Sequence, residues 1–177
     1  AAKMNRLVQN LLTLNQLEVG NDEVTFERFN IMEMIKGIVQ SNEILIQQKE
    51  ADVRMDDSTA VYVWADEWKV EQVLRNYFSN ALHHLEGEKV IDIRVKVNEE
   101  KGTACISVFN TGKQIPEEDI DQIWNKFYKV DKARTREYGG NGIGLSIVKA
   151  IMDSFHREYG VKNYENGVMF WFELDTK

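Results

Sequence analysis

Three glycines alternate in Gly140-Asn141-Gly142-Ile143-Gly144-Leu145, and an apolar, helix-forming segment from Leu145 to Phe155 follows at once. Without a Cβ the backbone can take φ > 0 or come close to a ligand. The helix behind would point its unpaired N–H groups and the positive end of its dipole back into the loop, a setting that suits phosphate oxygens. By itself the triplet reads first as a close-packed turn. Support for a phosphate loop has to come from upstream.

A second signal lies on a helix expected from Glu67 to Leu85. Val70, Val73, Leu74, Tyr77, Ala81 and Leu85 mark its buried side, while Asn76, Asn80 and His83 stack on another edge, given roughly 100° per residue. Neutral amide oxygens can ligate a hard cation such as Mg²⁺, and amide NH₂ groups can donate to phosphate. The alternative is a solvated edge with incidental asparagines. A third signal is the run Ser107 to Pro116, where a strand delivers Asn110 and Gly112 into a turn. There a side chain could hydrogen-bond a purine edge, and Gly112 lets a flat base lie close; an ordinary turn reads as well in isolation. The fourth is charge: Lys126, Lys129, Lys132, Arg134 and Arg136 stand against Asp131 alone. Such a loop could serve as a lid over a polyphosphate, with Phe127 and Tyr128 anchoring it, or it is simply a solvated face.

Elements that would carry these groups alternate without a strict βαβ repeat. Strands are expected at Val24–Phe29, Ala51–Met55, Val61–Trp64, Ile91–Val97, Thr103–Phe109, Tyr159–Asn163 and Gly167–Leu174. Asn30 caps a helix over Ile31–Gln48, and Pro116 opens a short one over Glu117–Trp124. The pattern predicts an α+β fold, a helix layer on a mixed sheet. Met4, Leu7, Val8, Leu11, Leu14 and Leu17 form an apolar stripe at helical spacing, ended by Gly20. That stripe wants a partner helix; the alternative is a helix lying on the main domain.

Composition sets limits. With 177 residues, 43% hydrophobic and 29% charged, one globular domain with an appendage is expected. A formal charge of −7 argues against nucleic acid as a partner. One cysteine, Cys105, reads as a buried free thiol in a reducing compartment. No apolar run suggests a membrane span or a signal peptide, so the chain is expected to be a cytoplasmic piece.

In this order, the four signals resemble the ATP-binding domain of sensor histidine kinases, part of the group that holds type II topoisomerase, Hsp90-type chaperone and mismatch-repair ATPases. The asparagine box is Asn76-Tyr77-Phe78-Ser79-Asn80-Ala81-Leu82-His83-His84, and Asn110-Thr111-Gly112 the first glycine box. Phe127-Tyr128 is the phenylalanine box, and Gly140 to Leu145 the second glycine box. The wording of Phe127 to Arg134, Gly160 to Asn163 and Phe170 to Phe172 is similar to kinases near the vancomycin-resistance sensors.

The resemblance implies a two-layer α/β sandwich, about five strands on three helices, with ATP under a flexible lid. Residues 1–20 would be the second helix of a dimerisation and phosphotransfer hairpin, and residues 21–177 the catalytic domain. Asn80 would take Mg²⁺, with Asn76 on metal or phosphate. Asn110 would read the adenine amino group in place of the usual aspartate. Ile115, Ile143 and Leu145 would border the nucleotide, with Gly112, Gly140, Gly142 and Gly144 allowing close approach. His83 stands where a phosphate-contacting lysine is usual, so that contact would follow imidazole titration. His84 would lie near the nucleotide. Gln114 replaces a second glycine of the first glycine box. Lys129 and Arg134 would neutralise the departing γ-phosphoryl.

Sister ATPases carry a water-activating glutamate where this chain has Asn76, so hydrolysis should be poor. His83, His84 and His156 lack the setting of a phosphate acceptor, which the resemblance places on a hairpin outside this chain. A response regulator would then receive the phosphoryl group. The full-length protein would be a membrane-anchored homodimer. An ATP-sensing module without phosphotransfer and an ATP-driven clamp are the alternatives.

Overall fold

Alternating apolar residues make the long central strands, and their apolar faces all look the same way. The computed structural model describes residues 2–19, 23–56, 59–128 and 142–177. In chain order these form α1 (Ala2–Val19), β1 (Glu27–Asn30), α2 (Ile31–Ser41), α3 (Glu43–Gln48), β2 (Asp52–Met55), β3 (Tyr62–Ala65), α4 (Glu67–His83), β4 (Val90–Asn98) and β5 (Thr103–Thr111). A 3₁₀ turn at Glu117–Asp119 precedes α5 (Gly144–Phe155), β6 (Tyr159–Tyr164) and β7 (Gly167–Asp175).

The strands join in the order β1-β3-β7-β5-β4-β2, with β6 also on β7. The β2–β4 pair is parallel and the others antiparallel, so the sheet is mixed as expected. It holds 7 strands, as the sequence pattern predicts, against the about five that the resemblance implies. The short strands β1 and β2 take the edge positions, against β3 and β4.

Ile106, Val108, Phe170 and Phe172 on the inner face meet Val73 and Tyr77 of α4 and Ile147 and Ile151 of α5 in one core. A fully buried side chain of this size stabilises the fold by about 1.5–3 kcal/mol. Tyr77 is the polar member. Its ring lies 5.3 Å from Phe170, and its hydroxyl donates to the Trp171 carbonyl at 3.0 Å. Burial pushes its pKa well above the ordinary phenol value, keeping it a neutral donor. Cys105, on the outer face, is only half-buried; burial first, then Glu173, raises its thiol pKa.

Capping sets the helix starts. Asn30 Oδ1 accepts from the Met32 N–H at 3.0 Å, and Asp66 Oδ1 from the Lys69 N–H at 3.2 Å. The helix expected over Ile31–Gln48 is broken at Asn42. Ser41 Oγ and Asn42 Nδ2 both donate to the Ile38 carbonyl at 2.8 Å, and the Asn42 N–H turns to Val39 O instead. Side chains have taken the acceptor that the next helical bond needed. The short helix expected over Glu117–Trp124 is 3₁₀ only at Glu117–Asp119 and continues as turns.

Helix α1 lays one side on the main domain. Leu14 is buried, and Leu7 and Leu17 pack against the core. Val8, Leu11 and Leu12 stay exposed on the other edge. No helix among the described residues is long and apolar enough to cross a membrane.

Gly167 faces Thr111 across the β5–β7 ladder, and a Cβ there would strike the Asn110 carbonyl and come within 2.8 Å of the Phe109 ring. Gly167→Ala is expected to cost about 1–3 kcal/mol in urea unfolding. An unchanged midpoint would contradict this packing.

Candidate functional site

Helices α4 and α5 meet at a side chain. Asn76 Nδ2 donates to the Gln72 carbonyl one turn back, at 2.8 Å, which turns Oδ1 outward. A Cβ on Gly144 would stand 2.7 Å from that Oδ1, so only glycine lets the start of α5 come this close. No side chain caps α5 at Ile143. An amide oxygen and a helix N-terminus therefore share one place. Asn80, one turn further along α4, is half-buried and makes no side-chain hydrogen bond among the described residues.

The first glycine box forms the opposite corner. Asn110 is 2% exposed, and its Nδ2 donates to Thr111 O at 3.1 Å and to His84 O at 3.4 Å. Those two carbonyls fix the amide, leaving Oδ1 as the group free to accept. A Cβ on Gly112 would strike the His84 carbonyl, and Gly112 has φ +153, in the range that favours glycine. His84 caps the end of α4, so this corner rides on the same helix as the two asparagines. Its side chain is exposed, and that of His83 half-buried.

Phe127 and Gly142 join the other two boxes. The Phe127 N–H donates to Gly142 O at 2.8 Å, and a Cβ on Gly142 would stand 2.8 Å from Phe127 Cα. Both residues have positive φ, 62° and 72°. For Phe127 this is strained backbone. The Tyr128 hydroxyl donates to the Asp119 carboxylate, which raises the phenol pKa. Lys129, Arg134 and Gly140, expected at the lid and glycine loop, lie outside the described residues.

Ile143 is fully buried in the core, so contact with a ligand would fall to its backbone. Leu145 is half-buried beside it. Ile115 exchanges two hydrogen bonds with Asn163, a residue the sequence did not single out: its N–H donates to Asn163 Oδ1 at 2.9 Å, and Asn163 Nδ2 donates back to its carbonyl at 2.7 Å. Thr111 was also missed as an anchor. Its Oγ1 donates to Glu86 O at 2.7 Å and accepts from the Val90 N–H at 3.0 Å, holding the loop after α4 to the end of β5. A polar residue closing an apolar strand was the one available hint.

The donor set suits a hard cation shared with phosphate: neutral amide oxygens one helical turn apart, beside a helix N-terminus. No group of three or more His, Cys, Asp or Glu among the described residues could hold a metal unaided. A profile described as histidine kinase-, DNA gyrase B- and HSP90-like ATPase matches residues 65–177, spanning every corner of this site. The chain belongs to that family. Within it, this ATPase domain corresponds to the ATP-binding catalytic domain of a sensor histidine kinase. It is 34% identical to the sensor histidine kinase WalK of Bacillus subtilis over 99% of its own length and 29% of the relative's. It thus spans less than a third of that relative.

Among solved structures it resembles the nucleotide-free catalytic domain of histidine kinase ThkA, with TM-score 0.74 and 31% identity over 86% of this chain and 98% of that one. It also resembles ThkA in complex with response regulator protein TrrA, with TM-score 0.75 and 27% identity over 98% of this chain and 49% of that one.

Thr111→Val keeps the shape of this corner but takes the Oγ1 acceptor from the Val90 N–H and removes one donor from the Glu86 carbonyl, which keeps the Lys89 N–H at 3.4 Å. A loss of about 1–3 kcal/mol is expected in thermal or urea unfolding. Wild-type stability would show that Thr111 holds nothing.

Proposed function

We propose that this ATPase domain binds ATP with Mg²⁺ between α4 and α5 and, within a longer sensor histidine kinase, passes the γ-phosphoryl group to a histidine on a helical hairpin. The observation that carries this reading is the Asn76 amide oxygen set against the N-terminus of α5. Phosphate oxygens would lie at that N-terminus and along the backbone of Gly140, Gly142 and Gly144. Asn80 and Asn76 would hold Mg²⁺, which offsets triphosphate charge when bound. Asn110 Oδ1 would accept from the adenine amino group, and its fixed amide makes it an acceptor only. Gly112, Ile115, Leu145, His83 and His84 would border the nucleotide. Phe127 and Tyr128 would anchor the lid that brings Lys129 and Arg134 to the γ-phosphate.

An imidazole nitrogen attacks the γ-phosphorus, the bond to the bridging oxygen breaks, and ADP leaves. Water is a poor competitor because an amide at Asn76 cannot take its proton. The exposed edge of α1, with Val8, Leu11 and Leu12, suits a second helix of the hairpin and its copy in a homodimer. We place residues 1–20 in that hairpin and residues 21–177 in the catalytic domain. A response regulator as recipient and a membrane anchor elsewhere in the full-length protein complete the proposal, with this domain on the cytoplasmic side.

Calorimetric titration with a non-hydrolysable ATP analogue is expected to show Mg²⁺-dependent binding that weakens about tenfold or more in Gly144→Ala. With labelled ATP, the chain alone should gain no acid-labile phosphate, and a separately made histidine-bearing hairpin should gain it. Absent nucleotide binding, or phosphate on the chain itself, would contradict the proposal.

A further inference from the structure

The loop after β5 is stitched to the β6–β7 hairpin by four hydrogen bonds. The Gly112 N–H donates to Asn166 O at 3.1 Å. Gln114 Nε2 donates to Tyr164 O at 2.6 Å. Asn163 closes the seam through its two bonds with the Ile115 backbone, at 2.9 and 2.7 Å. A side-chain amide has one donor and one acceptor side by side, so it can copy a neighbouring strand and satisfy both backbone groups of Ile115. The reciprocal pattern also fixes the amide's orientation.

Asn163 is out of place by pattern. Residues 159, 161 and 163 of β6 face the helix layer. Tyr159 meets Trp124 edge to face with ring centroids 4.9 Å apart, and Val161 packs against the core. An apolar third member would continue that face. The polar one sits instead where Ile115 needs a partner.

We propose that Asn163 is a positioning residue for the nucleotide base: it sets the height of the Gly112–Ile115 loop against the Asn110 corner, and so governs affinity for the adenosine part of the ligand. This deepens the ATP-site reading above and rests on it. Gln114 acts in the same seam. Where the family's glycine would leave the loop free to approach the ligand, Gln114 ties it to the hairpin.

The test compares wild type, Asn163→Ala and the isosteric Asn163→Asp by calorimetry, using a non-hydrolysable ATP analogue, ADP and inorganic triphosphate, each with Mg²⁺. Asn163→Asp keeps the shape and the acceptor but sets a carboxylate oxygen against the Ile115 carbonyl. Both variants are expected to lose about tenfold in affinity for the two adenosine ligands and less than twofold for inorganic triphosphate. Folding is checked by circular dichroism; if Asn163→Ala does not fold, Asn163→Asp carries the comparison. Wild-type affinity in a folded variant, or equal losses for all three ligands, would overturn the proposal. If the wild type itself binds neither adenosine ligand, it is the ATP-site reading that fails.

Discussion

The contact between Asn76 and Gly144 is the constraint on which the site depends. One end of the Asn76 amide is spent on its own helix, at the Gln72 carbonyl, and the other lies against the start of α5. That close approach requires glycine at 144, and it brings the uncapped N–H groups of α5 beside the amide edge of α4. Move the two helices apart by the width of a methyl group and the shared corner is lost. The core beneath keeps them together: Val73 and Tyr77 of α4 and Ile147 and Ile151 of α5 sit on the same sheet face.

From this junction the remaining parts follow by short covalent reach. Asn80 is one turn along α4, and His84 ends the helix at the carbonyl that accepts from Asn110. Thr111 binds the loop after α4 to the end of β5, so the Asn110 corner and the edge with Asn76 and Asn80 share one helix. On the other side, Phe127 holds Gly142 through a backbone bond at the cost of a strained conformation. Strain of that kind persists only where the surroundings over-determine it. Neutral amides dominate throughout, and this bears on chemistry. Without a carboxylate at Asn76, the proposed triphosphate site would have no base there for water.

Much of this was legible in the sequence because the signals are local. Glycine spacing, the i, i+4 asparagines and strand alternation at Ile91 to Val97 each depend on near neighbours, and the fold class followed from them. The break at Asn42 was not legible, since it turns on Ser41 and Asn42 competing for one carbonyl, which periodicity does not register. Nor was Asn163, whose partner Ile115 lies 48 residues away and is a backbone group with no sequence signature. Ile143 shows the converse. It stands inside a glycine motif, yet its side chain belongs to the core.

Nuclear magnetic resonance of the labelled chain, titrated with a non-hydrolysable ATP analogue and then with Mg²⁺, probes the central claim most directly. The account predicts that the side-chain amides of Asn76, Asn80 and Asn110 and the backbone N–H of Gly144 shift together with nucleotide, and that Asn80 moves again with metal. Nucleotide-dependent shifts confined to other surfaces, with these four signals unmoved, would contradict it.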